Sequence, residues 1–280
     1  MTATYTLGEA MITELARTVV DQTLVFHGYG SPLVQLALHV AKRTYAPNMV
    51  LVAGATYGIN PDPPFLSPTS NDWVMDRGAS HSLDIGELFD LAASGRMGRM
   101  FLSGLQIDRW GNCNVTKLGR DNLSMKLPGG GGGCNLSCDA EFVTLWTTGQ
   151  RSDADASGRR RHRLVERCDF VTSLGHRGVD GRTRKELGYQ GGGPEFIVTD
   201  MGLFDFDDEG RVALRGVYPG VTIEEVQANT GFELGVSDAF EVLAAPEPEV
   251  IDIIRHLDPL LVHERELQRR DRGRLVNQGR

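Results

Sequence analysis

The chain has 280 residues, of which 40% are hydrophobic and 24% are charged, and its formal net charge is −8. This length allows one large α/β domain or two small ones, and the hydrophobic share suffices for a packed core but is too small for a membrane protein. The acidic balance argues against a nonspecific nucleic-acid binder, which needs a basic surface, so neither nucleic acid nor a membrane is expected as a partner.

Two helices and two strands are predicted near the N-terminus, and together they form a βαβ unit. Apolar residues at intervals of three and four indicate the first helix, and Ser31 followed by Pro32 supplies the cap and the first position of the second. In order, the predicted elements are a helix over 8–20, a strand over 23–26, a turn over 27–30, a helix over 32–42 and a strand over 49–53. Strand, helix and strand in this order favour parallel pairing with a right-handed crossover.

The rest of the chain continues this alternation of strands with helices. After a Pro-rich loop over 60–72, the predicted elements are a helix over 83–93, a strand over 99–103, a turn over 108–112, a strand over 140–147, an exposed or mobile loop over 151–163, strands over 170–174 and 196–200, a helix from 222 and a helical tail after 258. Thr222 with Glu225 three residues later predicts a capping box. The pattern predicts the α/β class, with a mostly parallel sheet flanked by helices, in a single domain over 1–280 with a charged C-terminal tail from about 258.

Five consecutive glycines, Gly129 to Gly133, follow Pro128. A mobile linker is one interpretation, although the run lies between two strand-like segments and lacks the serines typical of linkers. The other is a loop whose backbone comes close to a ligand, so that bare N–H groups face a negatively charged oxygen. A Walker loop does not fit, because Cys134 and Asn135 follow the glycines, and a Rossmann fingerprint has a different spacing.

The cysteines and the N-terminus indicate the compartment. The cysteines are Cys113, Cys134, Cys138 and Cys168. They form no C-x-x-C pair and no zinc set, so no metal site is predicted, and scattered thiols suit a reducing cytoplasm. The N-terminus lacks the basic start and apolar core of a signal peptide, and no run approaches the roughly 18 apolar residues that span a bilayer. We therefore expect a cytoplasmic protein.

Three segments in this order are similar to a known family. They are residues 105–114 (LQIDRWGNCN), the glycine-rich segment 128–135, and a C-terminal group at 198–204, 219–222 and 227–232. They resemble β subunits of class I CoA-transferases, the glutaconate and 3-oxoacid CoA-transferase group, over about residues 10–245. The resemblance implies the CoA-transferase fold, an acyl-CoA substrate in which coenzyme A is no separate cofactor, and a related α subunit as partner. It also implies an α2β2 heterotetramer with active sites between the subunits.

The sequence departs from the family at the position of the nucleophile. The resemblance places a glutamate at the end of the second strand, where a transferase forms a glutamyl-CoA thioester. The matching segment, 52–58, contains no acid, and no glutamate occurs between Glu14 and Glu87. Either Gly54 or Thr56 stands at the equivalent position, and a threonine is a far weaker nucleophile without an activating base. We therefore predict no catalytic residue in this chain.

One branch of the family shows the same departure, namely the ring-opening hydrolases of bacterial steroid (cholesterol) degradation, whose β subunits this sequence resembles. That resemblance implies a hydrolase in which an α-subunit glutamate activates water to cleave a carbon–carbon bond in a cyclic 1,3-diketone CoA thioester. The residues predicted to contact the substrate or CoA are Thr56, Tyr57, Gln106, Gly130, Gly131, Gly132, Cys134 and Asn135.

Alternative interpretations stay open. A true CoA-transferase needs an unrecognised acid, for which Asp62 is the nearest downstream candidate. A non-catalytic scaffold subunit would only complete the pocket of its partner. Gln106 and Asn112 are also interpreted as residues that hold their turn through hydrogen bonds to the backbone, and His27 as a structural histidine.

Overall fold

A computed structural model describes residues 4–154, 156–158 and 160–276 of the chain. The chain divides into two compact units, unit 1 with Met1–Phe101 and Ala244–Arg280, and unit 2 with Leu102–Leu243. Strands alternate with helices, and the pairing is mixed and mostly parallel, so the predicted α/β class is confirmed. Within the described ranges, no helix has the length and apolar character needed to cross a membrane.

Unit 1 is built around a short parallel sheet. Its helices are α1 (Leu7–Arg17), α2 (Pro32–Arg43), α3 (Ile85–Ala93) and α6 (Pro248–Leu257), and its strands are β1 (Leu24–His27), β2 (Val50–Val52), β3 (Gly58–Ile59), β4 (His81–Ser82) and the first three residues of β5 (Arg99–Ser103). 3-10 turns cover Trp73–Asp76 and His263–Glu266. Strand β1 lies between β2 and β5 and is parallel to both, which confirms the predicted βαβ unit. Strands β3 and β4 extend the sheet in antiparallel pairing.

Local side-chain chemistry sets where the first two helices begin. Thr6 accepts a hydrogen bond from the Glu9 N–H (3.2 Å), and the Glu9 carboxylate accepts one from the Thr6 N–H (2.7 Å). This capping box starts α1 one residue before the predicted position. Helix α2 begins at Pro32 as predicted, but Ser31 makes no side-chain capping bond. The fixed backbone angle of the proline therefore defines this start.

The prediction of a helical tail after residue 258 is wrong, because only one 3-10 turn forms there among the described residues. The buried Asp258 carboxylate accepts hydrogen bonds from the N–H groups of Val262 (2.8 Å) and His263 (3.0 Å) and from Nδ1 of His263 (2.6 Å). Leu261 also adopts a positive φ of 51°. These side-chain bonds take backbone donors that a helix needs, so the chain turns instead.

Unit 2 contains most of the strands. Its helices are α4 (Gly133–Asp139) and α5 (Ile223–Ala228), and its strands are β6 (Gln106–Asp108), β7 (Cys113–Asn114), β8 (Lys117–Leu118), β9 (Met125–Lys126), β10 (Phe142–Thr147), β11 (Leu164–Val165), β12 (Pro194–Thr199), β13 (Gly202–Phe206), β14 (Val212–Val217) and β15 (Gly235–Val242). β12 is parallel to β10 and antiparallel to β13, and β14 continues the sheet to β15. Its core includes Leu145, Ile197, Phe204 and Leu214, which are almost completely buried.

Two local predictions in unit 2 are corrected. The strand predicted over 170–174 does not form, since only Ser173 makes a bridge, to Cys113. Thr172 binds the Val115 N–H through its hydroxyl (3.0 Å), so a side chain replaces part of the expected backbone ladder. The capping box predicted at α5 is half formed: Thr222 accepts from the Glu225 N–H, but the Glu225 carboxylate pairs with Arg151 instead of returning to the cap.

Candidate functional site

The carboxyl ends of β1 and β2 lie at the same edge of unit 1, because the two strands are parallel, with Phe26 paired to Val52. The turn over 28–30 and the segment over 53–57 therefore begin side by side. This edge is where the ligand-binding groups of open α/β sheets collect. It is also the edge at which the family resemblance puts the transferase nucleophile.

His27 ties these two strand ends together. The Gly54 N–H donates to Nε2 of His27 (3.1 Å), and Nδ1 of His27 donates to the Gly28 carbonyl (2.9 Å). Because Nε2 accepts, the proton lies on Nδ1, and burial lowers the pKa of the imidazole to about 4. His27 is therefore a neutral structural histidine, as the sequence indicated.

His39 in α2 is a second buried histidine, and its Nδ1 has no hydrogen-bond partner among the described residues. Burial, followed by the nearby positive charge of Arg43, lowers its pKa from 6.5 to about 3. Below pH 6.5 the unfolded chain binds a proton here that the folded chain does not bind. Proton binding at this neutral, buried histidine therefore costs the folded state nothing above that pH. As the pH falls below it, proton binding by the unfolded chain lowers the free energy of unfolding.

We expect His39→Leu to leave the free energy of unfolding nearly unchanged at neutral pH. At about pH 4.5 the variant should be more stable than the wild type by roughly 2 kcal/mol, because leucine gives the unfolded chain no site for the proton that favours unfolding. Urea unfolding of both proteins at the two pH values measures this difference. An equal loss of stability in both proteins on acidification would contradict the depressed pKa.

The segment after β2 is a tight turn with a strained residue. Tyr57 has a positive φ of 57°, and its backbone is fixed by bonds from its N–H to the Ala53 carbonyl (2.9 Å) and from the Leu83 N–H to its own carbonyl (3.0 Å). Next to it, the buried Thr56 Oγ1 has no hydrogen-bond partner in the part of the chain that the structure describes. Strained backbone and unsatisfied buried hydroxyls are both uncommon in folded proteins and cluster at functional sites.

The structure brings one carboxylate close to this turn that the sequence analysis missed. Asp76, from the 3-10 turn, lies so close to Gly58 that a Cβ there would overlap its Oδ1, and its Oδ2 accepts from Ser82 Oγ (3.3 Å). It therefore contacts strand β3, beyond the turn over 53–57, and no local pattern links residues so far apart in sequence. Asp62, the acid considered from sequence, is mostly exposed and pairs with Arg43.

In unit 2, Asp108 and Asn112 build the turn between β6 and β7. The Asp108 carboxylate accepts from the backbone N–H groups of Trp110 (3.0 Å) and Asn112 (3.1 Å) and from the Asn112 side-chain amide (3.1 Å). Burial raises the pKa of Asp108, although these hydrogen bonds act in the opposite direction. Asn112 Oδ1 accepts from the Gly175 N–H (2.8 Å), so the predicted turn-holding role of Asn112 is confirmed.

The Gln106 side chain is held by its neighbours in unit 2. Its Oε1 accepts from Asn114 Nδ2 (2.7 Å) and from the Asp169 N–H (3.0 Å), and its Nε2 donates to Asp169 Oδ2 (3.2 Å). Gln106 therefore links the β6–β7 hairpin to the segment after β11, which fits its interpretation as a turn-holding residue. A substrate contact by Gln106 stays a prediction.

The glycine-rich segment leaves several backbone donors without partners. The Gly129 N–H binds the Val115 carbonyl (2.9 Å), and the Gly133 N–H binds the Gly130 carbonyl (2.8 Å). Among the described residues, no acceptor binds the N–H groups of Gly130, Gly131, Gly132 or Cys134. Gly131 has a positive φ of 51°, and a Cβ on Gly130 would lie 2.7 Å from Thr172 Cγ2. The segment can thus offer adjacent donors to an anionic oxygen.

The structure places the remaining predicted contact residues on a short helix. Cys134 and Asn135 belong to α4 instead of a continuous loop, and Gly132 is the residue before the helix. The Cys134 thiol donates to the Gly131 carbonyl (3.4 Å), and Asn135 is exposed. The structure therefore brings Gly130 to Cys134 together within unit 2, whereas Thr56 and Tyr57 are neighbours within unit 1.

No family model matches the chain. Among curated proteins it is 32% identical over 269 residues to the β subunit of glutaconate CoA-transferase from Acidaminococcus fermentans, covering 91% of this chain and 93% of the relative. It is also 30% identical over 258 residues to the β subunit of 3-oxoadipate CoA-transferase from Pseudomonas knackmussii, covering 91% and 94%. The chain is a β subunit of the class I CoA-transferase family.

Two further likenesses bear on the chemistry of this CoA-transferase-family protein. The cholesterol ring-cleaving hydrolase IpdB subunit of Rhodococcus jostii is 28% identical over 255 residues, covering 87% of this chain and 91% of that protein. The solved structure of the decarboxylase AibA/AibB superposes with a TM-score of 0.78 at 26% identity, covering 94% and 98%. Since the similar proteins are named as subunits of complexes, they support an α partner for this chain.

Proposed function

We propose that this chain is the β subunit of a heteromeric hydrolase that opens a carbocyclic ring of a 1,3-diketone CoA thioester in steroid (cholesterol) ring C/D degradation. The observation that carries the proposal is the turn over 53–57, which holds no carboxylate. Covalent capture of an acyl group therefore has no carboxylate nucleophile in this turn. Similarity to the cholesterol ring-cleaving subunits supports the finer assignment.

The proposed reaction uses one water and no oxidant. A glutamate of the α subunit takes a proton from water as the oxygen bonds to one ring carbonyl and gives a tetrahedral oxyanion. As this collapses, the bond to the carbon between the two carbonyls breaks, and its electron pair forms an enolate with the second carbonyl. The glutamic acid returns the proton to that carbon and gives a ketone, and the new carboxylic acid loses its own proton to solvent and becomes a carboxylate.

Two oxyanions form in turn, and both need donors already in place. In the proposal, the N–H groups of Gly130, Gly131 and Gly132 serve one of these oxygens or the thioester carbonyl. Thr56 and Tyr57 line the pocket where a transferase would carry its glutamate. In the proposal, this chain contributes backbone donors but no catalytic side chain and no metal. Coenzyme A is part of the substrate and is not a separate cofactor. We place the complex in the cytoplasm as an α2β2 heterotetramer.

A trapping experiment tests the proposal. The complex is incubated with its CoA thioester and then treated with hydroxylamine or borohydride, which convert a glutamyl-CoA thioester into a stable derivative. We expect peptides of this chain to remain unmodified, and water labelled with ¹⁸O to enter the carboxylate of the product. A derivative on an Asp or Glu of this chain would establish CoA transfer in place of hydrolysis. Activity should require the α subunit, and the isolated chain should be inactive.

Decarboxylation is a second candidate, favoured by the superposition on the decarboxylase AibA/AibB. When the acyl group of a CoA thioester carries a carboxylate, breaking the bond to it releases carbon dioxide and leaves the electron pair as an enolate of the thioester, which the same backbone donors would stabilise. Release of carbon dioxide without incorporation of labelled oxygen would favour this reaction over ring opening.

A further inference from the structure

A cavity of about 500 Å³ opens beside the β6–β7 turn of unit 2, and no step of the proposed reaction uses it. Its walls include Arg109, Trp110, Arg120, Glu166, Arg167 and Val179. The volume falls within the range of small-molecule sites. Three arginines in one cavity are notable in a chain with a net charge of −8.

The acidic groups at this cavity are already engaged. Asp108 is buried, and its carboxylate accepts the turn hydrogen bonds described above. Glu166 pairs with Arg109 (2.7 Å). Within the described part of the chain, Arg120 and Arg167 form no ion pair, and the Arg120 guanidinium donates only to the Arg167 carbonyl (3.4 Å). Two guanidinium groups therefore remain available to an anion.

Three guanidinium groups lie close to the ring of Trp110, which is part of the cavity wall. The guanidinium carbons of Arg109, Arg177 and Arg211 lie 5.2 Å, 5.3 Å and 5.7 Å from its ring centroid. Such cation–π contacts hold arginines close together in spite of their like charge. Arg177 also donates to the carbonyls of Glu209 (3.4 Å) and Gly181 (3.3 Å), and Arg211 pairs with the Glu209 carboxylate. Because Arg109 and Arg211 each pair with a carboxylate, the charge that is left for an anionic ligand belongs mainly to Arg120 and Arg167.

We propose that this cavity binds a phosphorylated small molecule, with Arg120 and Arg167 as the principal phosphate ligands. Guanidinium groups match phosphate oxygens through paired, charge-assisted hydrogen bonds, and a multiply charged anion satisfies two of them at once. The ligand is either a free phosphorylated compound or the phosphate-bearing nucleotide end of a CoA thioester. Only the second source rests on the proposed function.

Calorimetric titration of the purified full chain with pyrophosphate and with adenosine 3′,5′-bisphosphate tests the site. We expect saturable binding that weakens as sodium chloride is raised. The double variant Arg120→Gln/Arg167→Gln should bind both probes at least about tenfold more weakly, since each lost contact is charge-assisted. The control Arg96→Gln/Arg269→Gln removes two exposed charges in unit 1 and should bind like the wild type.

The outcomes separate the two sources of phosphate. If a CoA thioester displaces adenosine 3′,5′-bisphosphate, the cavity holds the nucleotide end of the substrate; if it displaces neither probe, the ligand is a free phosphorylated compound. Failure of the wild type to bind either probe, or equal binding by the double variant, would overturn the proposal. Because the readout is binding and not turnover, a negative result here would leave the hydrolase proposal standing. Likewise, a CoA adduct on this chain in the trapping experiment would leave the phosphate site standing.

Discussion

Replacing Gly131 by phenylalanine is expected to slow turnover of the α/β complex at least about 100-fold while the protein stays folded. A Cβ at this position would meet nothing within 4 Å, so the fold accommodates the side chain apart from the cost of a positive φ of 51°. The phenyl ring would instead cover the unpaired N–H groups of Gly130 to Gly132. Loss of a single oxyanion donor typically costs about 100- to 1000-fold in rate.

The matched control is Gly95→Phe. Gly95 also has a positive φ, of 72°, and a Cβ on it would likewise meet nothing within 4 Å, but it lies after α3, away from the glycine-rich segment. Both variants therefore carry a similar backbone cost, and thermal unfolding should shift equally in both. Steady-state turnover should fall only for Gly131→Phe. Unchanged turnover and unchanged affinity for the CoA thioester in that variant would refute a role for the segment.

Gly54→Ala is expected to destabilise unit 1 by about 3 kcal/mol, near the upper end of the usual cost of overpacking. A Cβ on residue 54 would overlap the carbonyl oxygen of His27 and lie 2.6 Å from that of Gly28. Both obstacles are backbone atoms at the end of β1, so relief requires the strand ends to separate. That movement would also break the hydrogen bond from the Gly54 N–H to His27.

Gly28→Ala provides the control at the same edge of the sheet. A Cβ on Gly28 would meet only the Phe101 carbonyl oxygen, at 3.9 Å, which is ordinary contact. Denaturant unfolding should therefore leave Gly28→Ala within about 0.5 kcal/mol of the wild type. If Gly54→Ala unfolded at the same denaturant concentration as Gly28→Ala, the close approach of the two strand ends would be wrong.

Much of the secondary structure follows from local sequence. The helix over 32–42 and the strand over 99–103 were predictable because their signals, a proline start and an apolar run, act over a few residues. The strand predicted over 170–174 does not form, because the Thr172 hydroxyl binds the Val115 N–H and only Ser173 makes a bridge, to Cys113. Val115 and Cys113 are distant from this segment in the chain, so no local sequence pattern predicts these contacts.

The candidate site shows the same division. Glycines in a row indicated bare backbone donors, and the structure leaves four N–H groups in that segment without acceptors among the described residues. The start of α4 at Gly133, which takes in Cys134 and Asn135, was not predicted. Glycine is a poor helix former, so the local sequence argues against a helix that starts at this residue. The tertiary structure overrides this weak local preference.

The sequence by itself determined the family, the βαβ start and the lack of an acid after the second strand, because each depends on which residues occur and in what order. Only the tertiary structure decided that Asp76 lies against Gly58, that Gln106 is held by Asn114 and Asp169, and that arginines gather around Trp110. Several of these contacts, such as Gln106 with Asp169 and Arg177 with Trp110, join residues that are more than 60 positions apart in the chain. Packing and the need to satisfy buried polar groups decide which residues meet in this way. Neither produces a local sequence pattern from which the contact could be predicted.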